Sequence, residues 1–205
     1  MELRECMGLH NEKQHIAQGR ARIVERMRGS GSAFSAGRAE ALAVRDVQDM
    51  FFLYDEVFFE GMLGKRLEGG LAYRLSNRMT RTGGKVQYDR REGTYVLALS
   101  YPLVVYPFDG KASGVDVNGI PCSSSMEVMM GIMEHEIIHI IEFELHGRSS
   151  CGKRPFKTMA RNIFGHTGTK HSLSTTHSHG TRTLRPGSRG ASSTGERPTP
   201  APLRG

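Results

Sequence analysis

The sequence is short of three things, and each shortage excludes a class of protein. Cysteine is scarce: Cys6, Cys122 and Cys151 are the whole complement in 205 residues, too few and too scattered for a disulfide framework. A reducing compartment is therefore expected, with the chain working inside a cell, in nucleus or cytoplasm, and not secreted. Long apolar runs are missing as well. No N-terminal apolar segment has the look of a signal peptide, and the longest apolar stretch, Leu97 to Phe108, is broken by Pro102 and Pro107, so no membrane span is expected. Acidic residues, finally, are absent between Glu144 and Glu196.

What remains is basic, with a net charge of +7. Such a balance favours a polyanionic partner, nucleic acid before membrane, since no amphipathic basic helix stands out. The length suits one domain with tails.

Residues 1–44 carry little core-forming pattern and read as an accessory segment. Ile16, Ile23, Val24 and Met27 suit a weak helix, but Gly19 interrupts it, and Gly29-Ser30-Gly31-Ser32 reads as a flexible linker. The folded part is expected over 45–173. Val47, Met50, Phe51, Tyr54, Val57 and Phe58 recur at helical spacing, with Gly61 placed as a stop. The period then changes. Leu71, Tyr73 and Leu75 alternate with polar or small residues, Val86 and Tyr88 do the same, and Thr94 to Ser100 makes a third strand, which together predict a small antiparallel sheet. A Gly/Asp-rich loop follows over Asp109 to Pro121. Ser124 with Glu127 forms a capping box for a helix running to about Leu145. Its methionine and isoleucine stripe, Met126 to Ile141, reads as core, while Val128, Gly131, Ile132, His135 and His139 share the side facing a cleft. Residues 174–205 turn to Ser, Thr, Gly, Pro and Arg, and with so little apolar material to offset ordering entropy this basic tail is expected to be disordered.

That second helix carries the chemistry. His135-Glu136-Ile137-Ile138-His139 is an H-E-x-x-H pattern, and on a helix its two imidazoles project from one face a turn apart, as the first two nitrogen ligands of a tetrahedral zinc must. Glu136 then lies beside the metal's open position, where a carboxylate takes a proton from the attacking water. A third ligand must come from beyond the helix. No acidic residue follows at the distance a thermolysin-like site needs, and the Gly and His that metzincins place three and six residues after the second histidine are here Glu142 and Leu145. The candidates are His146, Cys151, His166 and His171. His146 lies seven residues past His139, ~10.5 Å along an unbroken helix, too far unless the helix ends early. Cys151 follows a turn-forming Gly147-Arg148-Ser149-Ser150 and precedes Pro155, a good first-turn residue for another helix.

From about Asp46 to Leu173 the chain resembles the SprT-like metalloprotease domain family. The resemblance rests on Phe58-Phe59-Glu60-Gly61-Met62-Leu63 closing the first helix, Ser76-Asn77-Arg78-Met79-Thr80, Thr82-Gly83-Gly84, Leu99-Ser100 before Pro102-Leu103, the H-E-x-x-H helix, and Phe156 to Gly165 as a closing helix. It implies an α+β zincin-like fold, the sheet packed against the H-E-x-x-H helix, with zinc on His135 and His139 and Glu136 as general base. The family supplies its third ligand as a histidine in H-G-x-x-F/W; the matching stretch here is Cys151-Gly152-Lys153-Arg154-Pro155-Phe156, one residue longer and with Cys for His. Cys151 is thus the implied third ligand, with His146, or no third protein ligand, left open. A thiolate reduces the metal's Lewis acidity relative to a third imidazole. No Cys-x-x-Cys pair follows, so the zinc ribbon of many relatives is not expected. The implied activity is zinc-dependent proteolysis of DNA-associated or DNA-crosslinked proteins, with DNA bound through phosphates and not by sequence. The alternatives are a proteolytically inactive, zinc-stabilised DNA-binding or adaptor protein on the same fold, and a degenerate product whose tail reflects a shifted reading frame.

Overall fold

A computed structural model describes residues 1–29, 31–35, 37–108, 114–170 and 173. The tail over 174–205 lies outside the described residues, as does His171.

The aromatic helix forms where its spacing predicts. It is α2 (Val44–Phe59), and Val47, Met50, Phe51, Tyr54, Phe58 and Phe59 form its buried face. Glu60 and Gly61 end it in the left-handed region, at φ 57° and 74°. Against it packs α1 (Lys13–Gly29), and here the expected break is absent: Gly19 lies inside the helix because a Cβ there would meet the Phe58 ring at 2.5 Å. A glycine that weakens a helix locally admits the ring that holds the helix in place. Ile16, Ile23 and Met27 are buried, and the latter two join the core of the rest of the chain. The expected linker is also tied down at its end, where Ser32 Oγ donates to the Met27 carbonyl at 2.5 Å and Ala33 N–H to Asp46 Oδ1 at 3.2 Å.

After the short α3 (Met62–Arg66) come β1 (Leu71–Ser76), β2 (Gly84–Asp89) and β3 (Thr94–Ser100). The sheet is mixed, not purely antiparallel: its order is β1-β3-β2, with β1 parallel and β2 antiparallel to β3. The cause is burial. β3 holds the fully buried Leu97 and Leu99 and takes the centre, where it has ladder partners on both sides. Two chain reversals after β1 then bring β3 back in its direction.

Beyond α4 (Tyr101–Val105), the stretch expected as a loop contains a hairpin, β4 (Val115–Val117) and β5 (Ile120–Cys122), closed by Asn118 and Gly119 at φ 56° and 77°. Both central residues at positive φ match the twist of a two-residue hairpin turn. α5 (Ser125–His146) opens on Ser124, whose Oγ accepts from Glu127 N–H at 3.2 Å, and closes at Gly147 with φ 64°. It is the spine of the molecule. The sheet and the β4–β5 hairpin contact it, as do α2, α4 and α6 (Arg154–Phe164), which is why it is apolar nearly all round. No helix among the described residues is long and apolar enough to cross a membrane.

Candidate metal centre

The α5 backbone brings the two imidazoles together as their spacing predicts. His135 and His139 stand with Nε2 atoms 3.2 Å apart, and the Phe156 ring of α6 packs on both, its centroid 4.8 and 4.5 Å from theirs. Cys151, in the turn between α5 and α6, completes a group whose nitrogen and sulfur donor atoms all lie within 4.8 Å of one another. Two nitrogens at ~2.0–2.1 Å from a tetrahedral ion stand ~3.3–3.4 Å apart, so the observed pair fits one. Burial pushes the His139 pKa down to about 4, which leaves its ring neutral at pH 7 with a lone pair to give. The group is therefore a possible metal-binding site.

Glu136 points from the same helix toward the sheet. Its side chain presses on Gly84 of β2, where a Cβ would come 2.6 Å from Glu136 Cγ and Oε1, so any larger residue would displace it. Burial pushes its carboxyl up to about 8, while a hydrogen bond from the Val86 backbone pulls the other way. Its Oε2 is buried with no hydrogen-bond partner among the described residues. Burying a polar atom without a partner costs stability. In front of these groups opens a cavity of about 540 Å³, lined also by Arg81, Lys85, Val117 and Lys170.

The structure sorts the remaining candidates. His146 is the last residue of α5, exposed and outside the donor group, as expected of an unbroken helix. His166 is buried elsewhere, its Nε2 2.7 Å from Glu134 Oε2. His177 and His179 lie outside the described residues. Of the residues expected to face the cleft, Ile132, His135 and His139 line it; Gly131 instead meets Val117 of the hairpin, and Val128 is fully buried.

Three more residues shape the site in ways that their motifs and spacing alone do not assign. Gly84 could have been suspected from the Gly83-Gly84 pair beginning a strand, where a second glycine implies close approach. Ser149 and Glu142 are the others: His139 Nδ1 lies 2.6 Å from Ser149 Oγ, which donates to Glu142 Oε2 at 2.6 Å, and Ser150 N–H donates to the same oxygen at 2.9 Å. Glu142 departs from the metzincin pattern and sits one turn beyond His139 on the same face.

Among known families, the one described as the SprT-like family has a model matching residues 47–179. No curated protein and no solved structure matches the chain.

Proposed function

Because the matched span, residues 47–179 of 205, makes the chain a member of the SprT-like family, which suggests a metalloprotease-type function, we propose that it is a zinc-dependent endopeptidase acting on DNA-associated or DNA-crosslinked proteins. The observation that carries this reading is the meeting, at one cavity, of three donor side chains with a carboxylate whose Oε2 has no hydrogen-bond partner among the described residues.

His135, His139 and Cys151 would hold the ion, a donor set that suits zinc. Bound there, zinc supplies a Lewis acid for the scissile carbonyl. Glu136 accepts the proton of the attacking water on Oε2 and returns it to the leaving nitrogen. It must be ionised to do so, and a cation held by the neighbouring donors would lower its pKa from about 8 toward neutrality, where a general base is most effective. β2 is an edge strand that lines the cleft from Gly84 to Val86, and an extended peptide laid beside it presents its carbonyls to the site.

The DNA part of the reading draws on α6. Its inner face, Phe156, Met159, Ala160, Ile163 and Phe164, is buried; Lys153, Arg154, Lys157 and Arg161 are exposed, and none of these four pairs with a carboxylate among the described residues. The expectation that no basic amphipathic helix exists is thereby corrected: the apolar positions of α6 are spent on the core, so its basic side shows only once the helix is docked. From Arg154 to Arg161 the row is ~10.5 Å long, about three base-pair rises along a duplex axis. Such a row grips phosphates without reading bases.

Glu136→Gln should reduce cleavage of a DNA-bound protein by ~10²–10⁴-fold. Cleavage at the parental rate would overturn the mechanism. The thiolate donor favours one second reading, a zinc-holding DNA adaptor without proteolysis, because it weakens the Lewis acid. Zinc bound at one equivalent with no cleavage of histone or of the chain itself on single-stranded DNA would select it.

A further inference from the structure

We propose that Ser149 and Glu142 form a hydrogen-bond relay that holds His139 in the tautomer whose Nε2 lone pair faces the donor group, which makes both of them positioning residues of the centre. The inference rests on the reading of His139 as a metal ligand.

A neutral imidazole carries a single N–H, and the partner of one nitrogen decides whether the other keeps its lone pair. His139 Nδ1 lies 2.6 Å from Ser149 Oγ, while its Nε2 faces the donor group, 3.2 Å from His135 Nε2. The serine hydroxyl has one hydrogen, and it is committed: Oγ donates to Glu142 Oε2 at 2.6 Å. That oxygen also receives Ser150 N–H at 2.9 Å, so it acts as an acceptor twice over. Toward His139 the serine therefore has only lone pairs left. The proton between them belongs to Nδ1, and Nε2 is left bare on the side where a metal would sit. Ligating histidines are commonly oriented in this way by an outer acceptor; here the acceptor is a hydroxyl polarised by a buried carboxylate.

The fold supplies both members at little conformational cost. Glu142 follows His139 by three residues on α5 and shares its face. The left-handed Gly147 ends the helix and folds the chain back, so that Ser149 arrives between them. The same carboxylate pins Ser150, the neighbour of Cys151, so that Glu142 acts on two donors while Ser149 acts on one. Loss of Glu142 should accordingly weaken metal binding more than loss of Ser149.

The test uses the full chain, metal-free and labelled with ¹⁵N at histidine. The tautomer of His139 is read from two-bond ¹H–¹⁵N couplings, and zinc affinity from competition with a chromophoric chelator. The parent should show a single Nδ1–H tautomer. Ser149→Ala should give a mixture and bind zinc ~10-fold more weakly, Glu142→Gln should lose more within the ~10–100-fold range of outer-partner losses, and Ser149→Thr, which keeps the hydroxyl, should restore both readouts. A helix-end contact of purely structural value would leave the tautomer unchanged. A Ser149→Ala protein with Nδ1–H intact, or with parental zinc affinity, overturns the relay, as does a parent that binds no zinc. Because neither readout is proteolysis, a chain that cleaves nothing yet loses its tautomer in Ser149→Ala supports the relay while removing the protease reading. Parental behaviour in Ser149→Ala beside a cleavage-dead Glu136→Gln does the reverse.

Discussion

Glu134 and Glu136 lie two residues apart on α5, both almost wholly shut from solvent at 0% and 3% exposure, yet their carboxyls are driven in opposite directions. Burial raises both. For Glu134, hydrogen bonds from His166 and Arg20 outweigh it and hold the carboxyl below its ordinary value. Each of its oxygens has two partners: Oε1 accepts from Arg20 Nε at 2.7 Å and Tyr54 OH at 2.8 Å, Oε2 from Arg20 Nη2 and His166 Nε2, both at 2.7 Å. Glu136 has the Val86 backbone alone, and its pKa rises to about 8. Residues two apart on a helix point roughly 200° from one another, so the first meets α1, α2 and the turn after α6 while the second meets β2. Burial sets the size of the electrostatic problem; the partners decide whether the carboxyl ends below or above its ordinary pKa.

The comparison can be broken hardest on the side of Glu134 and the partners that clasp it. Arg20→Ala leaves Glu134 buried without its bidentate partner and should cost about 3–5 kcal/mol, measured by urea denaturation. A change under 1 kcal/mol would mean that the clasp contributes little. Arg20 precedes the family match, which begins at residue 47, so the same measurement tells whether α1 belongs energetically to the fold.

A smaller effect is expected from pH in the metal-free protein. Glu136 titrates near 8 when folded and at its ordinary 4.5 when unfolded, so between those values the folded state holds the extra proton and stability falls as pH rises. His139, lowered to about 4 from 6.5, gives the opposite slope up to 6.5 and offsets Glu136 there. Only the window from about 6.5 to 8 is left, where stability should drop by about 2 kcal/mol at ~1.4 kcal/mol per pH unit. Glu136→Gln should flatten that slope. A slope that survives the substitution would show that another group causes it.

The smallest change in stability should come from Gly84→Ala, which crowds Glu136 and leaves Glu134 untouched. A side chain and not backbone gives way, so the cost should be about 1 kcal/mol, the low end for overpacking. Cleavage should nonetheless fall as Glu136 leaves its seat. Parental cleavage by Gly84→Ala would show that the seat is unimportant.

Much of this was legible in the chain. The Ser124 N-cap, the aromatic face from Val47 to Phe58 and the left-handed stop at Gly61 all follow from contacts within a few residues and form where spacing predicts, although the Glu127 carboxylate closes on Ser123 and not on the Ser124 N–H that a capping box requires. Less visible was anything that depended on a distant surface. Gly19 reads as a helix breaker until Phe58 is set against it, and Asn118-Gly119 reads as loop because strands of three residues are too short to show a period. The parallel pairing of β1 with β3 follows from which strand is buried deepest, a property of the assembled core.

By itself the sequence determined that two imidazoles share one helix face with a glutamate beside them, because helical geometry binds residues four apart regardless of surroundings. Tertiary structure alone decided that Cys151 and not His146 joins them, that Ser149 stands behind His139, and that the Glu134 carboxyl is pulled below its ordinary pKa while that of Glu136 is pushed above it. The reason is that an ionisation state and a ligand group depend on which atoms lie within a few ångströms, and those atoms come from elements as far off as Arg20, 114 residues from Glu134.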